Sequence, residues 1–229
     1  MSGRTIVRVD WPLFVNWHTP EYAGEAARLR ASLERFRLPH VMVCEPSLGS
    51  WGRNCNHKPA FIRGELVRAA PGCRSVCWLD ADAELLAAPC ALLPANLGAA
   101  DLAYVQRPLV SGGGLEGQAA LIFFRNCTPV MSFLDAWVER CREVYLTTDQ
   151  HHFNALVGSG AFADLSRMIL PAEYCVMPED AAAGAAAAGT VVRQHQASRR
   201  LLPLVGAEPP PPFVPDLDGS RRAGEGGGA

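Results

Sequence analysis

The segment from Ser75 to Ala83 constrains the fold more than any other part of the chain. Val76, Cys77, Trp78 and Leu79 form an apolar run without polar alternation, and it leads straight into Asp80 and Asp82, one residue apart. A strand with this pattern is buried on both faces, as in a parallel sheet flanked by helices. The two acids fall where the strand should end, and open α/β sheets bind ligands at the carboxyl ends of their strands. Like charges a few ångströms apart repel, and a divalent cation, which prefers oxygen ligands, removes that cost. Two readings stand: a metal clasp for a phosphate-bearing substrate, or an Asp-x-Asp turn whose acids serve turn and capping geometry.

The rest of the chain supplies a frame for such a strand. Residues 5–15 are β-rich and predict the first strand, with Pro12 interrupting or bordering it and Asn16, Trp17 and His18 as a strand-end loop. Thr19, Pro20 and Glu21 predict a helix start, and Tyr22, Ala26, Leu29, Leu33 and Phe36 give that helix one apolar face. His40 to Cys44 reads as a second strand, with His40 a strand-start residue, and Ser47 to Asn56 as a loop rich in Gly and Asn. Lys58 and Pro59 open a helix carrying Phe61, Ile62 and Leu66. A cation at a helix opening is poorly placed for the helix dipole. Either a phosphate or nucleotide needs the charge there, or the lysine is simply solvated.

Beyond the central strand, Pro89 to Pro94 predicts a short helical or turn segment, and residues 101–105 and 119–124 predict strands. Ser111 to Gly114 reads as a flexible loop, without the lysine and Ser/Thr of a phosphate-binding loop. Thr128 and Pro129 cap the clearest amphipathic helix, with Val130, Phe133, Leu134, Trp137, Val138, Cys141 and Tyr145 on its core face. Thr147 to Gln150 starts another helix running to about Val157, with Asp149 either its N-cap or a functional acid. Residues 168–170 and 191–195 predict short strands, and 181–189, almost all Ala and Gly, read as a loop, either a mobile lid or filler. Strands alternate with helices, which predicts one α/β domain over residues 1–205: Rossmann-like, with a mainly parallel central sheet flanked by helices. Residues 206–229, rich in Pro and Gly, predict a disordered tail.

Composition narrows the function classes. The 229 residues carry a formal charge of −2, with 49% hydrophobic and 19% charged residues. Nothing here suggests a nucleic-acid-binding surface or a polybasic membrane anchor. No signal peptide and no transmembrane segment is read. The eight cysteines include no Cys-x-x-Cys pair, so zinc binding by cysteine clusters is not expected. Without an export signal, reduced thiols and a cytoplasmic location are expected.

Five features in order carry a resemblance. They are Trp17 to Tyr22; Gly49, Ser50, Trp51 and Asn54 followed by Lys58 and Pro59; Trp78 to Ala83; Asp149 and Gln150 after a Trp-bearing helix; and Leu170 to Cys175 followed by His195 to Arg200. In these the chain resembles the metal-dependent glycosyltransferases of the GT-A fold, the nucleotide-diphospho-sugar transferases, and looks closest to small bacterial and phage members. The resemblance covers residues 5 to about 202. It implies that Asp80 and Asp82 hold Mn²⁺ or Mg²⁺ against the diphosphate, with Asp82 the more direct ligand and Asp80 also reaching the ribose. It implies that His195 completes the metal site; its imidazole tilts the expectation toward Mn²⁺. It implies nucleotide contacts from Lys58, Asn16 and Thr19, and phosphate contacts from Arg199 and Arg200, standing where relatives often carry a lysine. The sugar-site Asn-Ser/Thr-Gly of many relatives is replaced here by Gly117, Gln118, Ala119 and Ala120.

The activity implied is glycosyl transfer from a nucleotide-diphosphate sugar to a glycan, lipid or protein acceptor, as a hexosyl- or related transferase. Asp149, with Gln150 beside it, is the candidate for acid–base or positioning work. Relatives with a late histidine are mostly retaining, so retention is the implied outcome. One rival is a nucleotide- or glycan-binding protein of the same fold without turnover. Another is a sugar nucleotidyltransferase, whose Gly-rich, Arg-containing loop after the first strand has no counterpart at Asn16 to Thr19.

Overall fold

The computed structural model describes residues 11–69, 74–109, 113–143, 147–182, 189–198 and 201. The strands of the main sheet are β1 (Leu13–His18), β2 (His40–Cys44), β3 (Ser75–Leu79), β5 (Leu102–Pro108), β6 (Leu115–Arg125) and β7 (Arg167–Leu170); β4 (Ala83–Leu85) and β8 (Val192–Gln194) form a separate small sheet. The helices are α1 (Ala23–Arg35), α2 (Trp51–Asn56), α3 (Lys58–Ala69), α4 (Pro94–Leu97), α5 (Thr128–Glu143), α6 (Asp149–Gly158) and α7 (Pro178–Ala182).

The six-stranded sheet has the order β2-β1-β3-β6-β5-β7. β1 runs parallel to both β2 and β3, β6 runs antiparallel to β3 and β5, and β5 runs parallel to β7. All the strands but β6 therefore point the same way, as the alternation of strands and helices predicts. The apolar run before the acids is buried on both faces as expected. Cys77 and Leu79 enter the cluster that includes Leu29 and Leu33 of α1, while Val76 and Trp78 enter the cluster formed with α3, α5 and α6. The same alternation recurs in β6, where Leu121 and Phe123 face one side and Ile122 and Phe124 the other. The aromatic residues of α5 are core: Phe133 and Trp137 pack with Phe153 of α6.

Four details differ from the sequence expectations. The first described strand, Leu13–His18, runs past the expected end at residue 15, and residues 5–10 of the expected strand lie outside the described residues. Asn16, Trp17 and His18 are strand residues, in register with Met42, Val43 and Cys44, and Pro12, which has no N–H to give a ladder, stands before the strand. The segment 47–56 is not all loop. The Ser50 hydroxyl accepts from the Arg53 N–H at 3.3 Å and starts α2, a cap signal masked by the surrounding Gly and Asn. Thr148, not Asp149, caps α6, accepting from the His151 N–H at 3.3 Å, which leaves the Asp149 carboxylate for other work. The last strand, β8, pairs antiparallel with β4 directly after the Asp pair instead of joining the main sheet. Tyr145, Arg199, Arg200, the expected tail and most of the Ala/Gly stretch lie outside the described residues.

Candidate active site

A cavity of about 330 Å³ opens at the carboxyl ends of β1 and β3. One wall is Trp17, His18 and Thr19 at the end of β1, with Tyr22 and Trp51 beside them; Lys58, Trp78 and Asp80 are also in the lining. Asp82 and Ser198 come from the β4 and β8 side, and Asp149 and Gln150 from the start of α6.

Lys58 explains its own odd place at a helix opening. Its ammonium lies 2.9 Å from Asp80 Oδ1 and 2.7 Å from Asp149 Oδ2, and donates to the Ala119 carbonyl at 3.1 Å. An ammonium has three N–H donors, so these three partners use them all. The side chain is buried, 8% exposed, and sits over the Trp78 ring at 5.3 Å. Burial alone would depress the Lys58 ammonium, but Asp149 and Asp80 overcome this and push it above its usual range. Burial lifts the Asp149 carboxyl against the pull of Lys58. The neighbouring groups thus hold Lys58 inside the protein as a clamp between two acids.

Asp80 and Asp82, one residue apart, are treated differently. Asp80 Oδ1 accepts from both Lys58 and the Trp78 indole N–H, the latter at 2.7 Å. Asp82 Oδ2 accepts from the backbone N–H of Ala197 at 2.7 Å. Burial, with the charge of Asp80 added, pushes the Asp82 carboxyl up to about 6.

His195 is brought to the site by its backbone, whose N–H donates to the Asp82 carbonyl at 2.9 Å. Its ring Nε2, however, pairs with Glu84 Oε2 at 2.9 Å. Among the described residues, no three His, Cys, Asp or Glu side chains gather into a group able to hold a metal ion. The hard oxygens of Asp80 and Asp82 fit a divalent cation. The expected third member does not join them through Nε2, because the β4–β8 pairing sets Glu84 within reach of that nitrogen.

Asn16 is a second correction. It is not among the residues lining the cavity. Its amide donates to the Leu79 carbonyl at 2.8 Å, and its oxygen meets His18 Nδ1 at 2.9 Å. Because β1 continues through His18, Asn16 lies mid-strand and ties β1 to the end of β3. Its amide donor fixes the orientation of the group, so the oxygen accepts and His18 Nδ1 carries the proton. Burial, then Arg30, lowers the His18 pKa and favours the neutral ring. Thr19 does line the cavity.

Gln150 also lines it, but its oxygen accepts from the Ala119 N–H at 3.1 Å. Asn154 makes a reciprocal pair with Gly117, at 2.6 and 2.9 Å, so α6 is stitched to β6. A Cβ at Gly117 would come within 2.8 Å of Phe153 and 2.9 Å of Tyr104, which accounts physically for glycine there. Sequence alone points to no chemical role at the site for Glu84, Trp51, Tyr22 or Ser198. Glu84 carried a usable signal, two residues after Asp82 and so on the same strand face; the other three lay in the quoted segments without a chemistry of their own.

No family model matches the sequence, and no curated protein sequence matches it. Solved structures do share its fold. One is a glycosyltransferase involved in the glycosylation of the major capsid of PBCV-1, at 9% identity and a TM-score of 0.64, over 83% of this chain and 96% of that one. A second is the galactosyltransferase LgtC in complex with donor and acceptor sugar analogues, at 13% identity and a TM-score of 0.52, over 86% and 97%. A third is the apo-form glycosyltransferase GlyE of Streptococcus pneumoniae TIGR4, at 13% identity and a TM-score of 0.54; the match spans 80% of this chain and 54% of GlyE. The chain thus has the GT-A-like fold of these glycosyltransferases. Among the described residues, no helix is long and apolar enough to cross a membrane.

Proposed function

We propose that this protein transfers a hexosyl or related sugar from a nucleoside-diphosphate sugar to a glycan, lipid or protein acceptor, with Mn²⁺ or Mg²⁺ held by Asp80 and Asp82. The observation that carries this reading is the gathering of Asp80, Asp82 and Asp149 around one aromatic-walled cavity at the carboxyl ends of parallel strands. When bound, the cation supplies positive charge to the departing nucleoside diphosphate. Lys58 keeps Asp80 and Asp149 in fixed orientation. Arg199 and Arg200, which follow the cavity residue Ser198 in sequence, are the proposed phosphate ligands, since guanidinium grips phosphate bidentately. Asp149 and Gln150 position the reacting groups. Retention of anomeric configuration belongs to the proposal on the resemblance alone. The seven described cysteines are all free, which suits a reducing, cytoplasmic location.

A second reading is favoured by one observation: Lys58 and the Gln150 oxygen are engaged inside the protein. A nucleotide- or glycan-binding protein without turnover would also use such a closed cluster. Incubation with a panel of nucleotide sugars, with and without Mn²⁺, separates the two. Metal-dependent release of nucleoside diphosphate is expected, with loss of metal-dependent nucleotide binding in Asp82→Ala. Saturable binding without release overturns the transferase in favour of the binder. Wild-type nucleotide binding by Asp82→Ala removes the metal from the proposal.

A further inference from the structure

Gln150 differs from its neighbours in what its side chain has left to offer a ligand. It stands at the start of α6 beside Asp149 and lines the cavity. Its Oε1 accepts from the Ala119 N–H at 3.1 Å. A backbone N–H only donates, so the oxygen is fixed on that side and the amide NH₂ is turned the other way. Nε2 has no hydrogen-bond partner among the described residues and is not sealed in the interior.

The orientation is held from several directions. Ala119 is 1% exposed, and its carbonyl already accepts from Lys58 at 3.1 Å. Swinging the Gln150 oxygen away would take the acceptor from a buried N–H, which folded proteins avoid. The first turn of α6 is itself pinned. The Trp137 indole donates to the Asp149 carbonyl at 2.9 Å, and the Asn154 amide donates to the Gln150 and Gly117 carbonyls, each at 2.9 Å. Nearby polar groups are acceptors or already spent. Asp80 and Asp149 are carboxylates, Lys58 between them has used its three N–H groups, and the Trp78 indole is committed to Asp80. Gln150 therefore brings an uncharged N–H donor to a wall of acids.

We propose that Gln150 is a specificity-determining residue acting through its amide nitrogen: Nε2 donates to an oxygen of the sugar unit of a bound nucleotide sugar, while Oε1 stays on Ala119. This rests on the nucleotide-sugar reading above and deepens it. An uncharged amide suits an uncharged hydroxyl or ring oxygen, whereas the same reading gives the phosphates to the cation and to Arg199 and Arg200. With its oxygen committed to Ala119, the side chain neither attacks the anomeric carbon nor accepts from a sugar hydroxyl.

Titration calorimetry of the full chain with Mn²⁺, comparing UDP with UDP-glucose and GDP with GDP-mannose, tests the assignment on two variants, each read against wild type at the same pH. Gln150→Glu keeps an oxygen for Ala119 and replaces the NH₂ by a second oxygen. At about pH 7.5 it should weaken the nucleotide sugar about tenfold beyond any loss for the free diphosphate, as expected when a contact loses its donor. At about pH 5 that extra loss should largely disappear, because a protonated carboxyl has an O–H to donate. Gln150→Met, which is uncharged, should show the extra loss at both pH values. Equal losses for diphosphate and nucleotide sugar, or a Gln150→Glu defect indifferent to pH, overturns the assignment. So does undiminished release of nucleoside diphosphate by Gln150→Glu with a sugar attached at position 150 in the mass spectrum. In each of these cases wild-type binding of both ligands leaves the nucleotide-sugar reading standing. Failure of the wild type to bind any of the four ligands overturns that reading and the assignment with it.

Discussion

Asp80 and Asp82 are one residue apart and stand in opposite electrostatic situations. Asp80 is met by a buried ammonium and an indole N–H. Asp82 is met by a backbone N–H and by the charge of Asp80, and its carboxyl is pushed up to about 6. The first acid belongs to a closed, internally compensated cluster with Lys58 and Asp149. The second belongs to a tense edge, beside His195 and Glu84, where a positive charge is still wanted. Burial alone does not make a carboxylate reactive or available; what matters is whether the fold has already supplied its counter-charge.

Removing the counter-charge from the closed side should have the largest effect. Lys58→Met keeps the volume of the side chain but leaves two carboxylates without it, and should cost about 3–5 kcal/mol, read as a lowered denaturation midpoint in urea. If the midpoint does not move, Lys58 is not the clamp described here. Neutralising one acid of that cluster should cost less: Asp80→Asn weakens the bonds from Lys58 and Trp78, by about 1–2 kcal/mol.

The same change at the other acid should have the opposite sign. The folded-state pKa of Asp82, about 6, lies above the unfolded value of about 3.9. The folded form therefore holds the proton more tightly, and wild-type stability falls as pH rises from about 4 through about 6. Asp82→Asn avoids that penalty and should be more stable at pH 7 by up to about 2 kcal/mol, discounted for the partial exposure of the group. The gain should vanish near pH 4, as thermal melts across that range would show. A loss of stability at pH 7 would mean that Asp82 is as well compensated as Asp80. The smallest effect is expected for Trp78→Phe, which removes one indole donor from Asp80 and should cost about 1 kcal/mol by chemical denaturation.

Much of the frame was legible along the chain because it depends on local chemistry. The double-faced burial of Val76 to Leu79 and the apolar face of the helix from Thr128 follow from residue type and spacing. The far end of the first strand was not legible, because Asn16, Trp17 and His18 look like a loop until β2 pairs with them.

By itself the sequence determined an α/β chain with two acids at the end of a central strand, since hydrophobic pattern sets which strands are buried and a strand's end follows from where that pattern stops. Tertiary structure decided what each acid means. Lys58, Ala119 and Asp149 are distant in the chain and converge only when α3 and α6 dock on the sheet. His195 meets Glu84 only because β8 pairs with β4. Charge compensation depends on distances across the fold, and no local pattern records them.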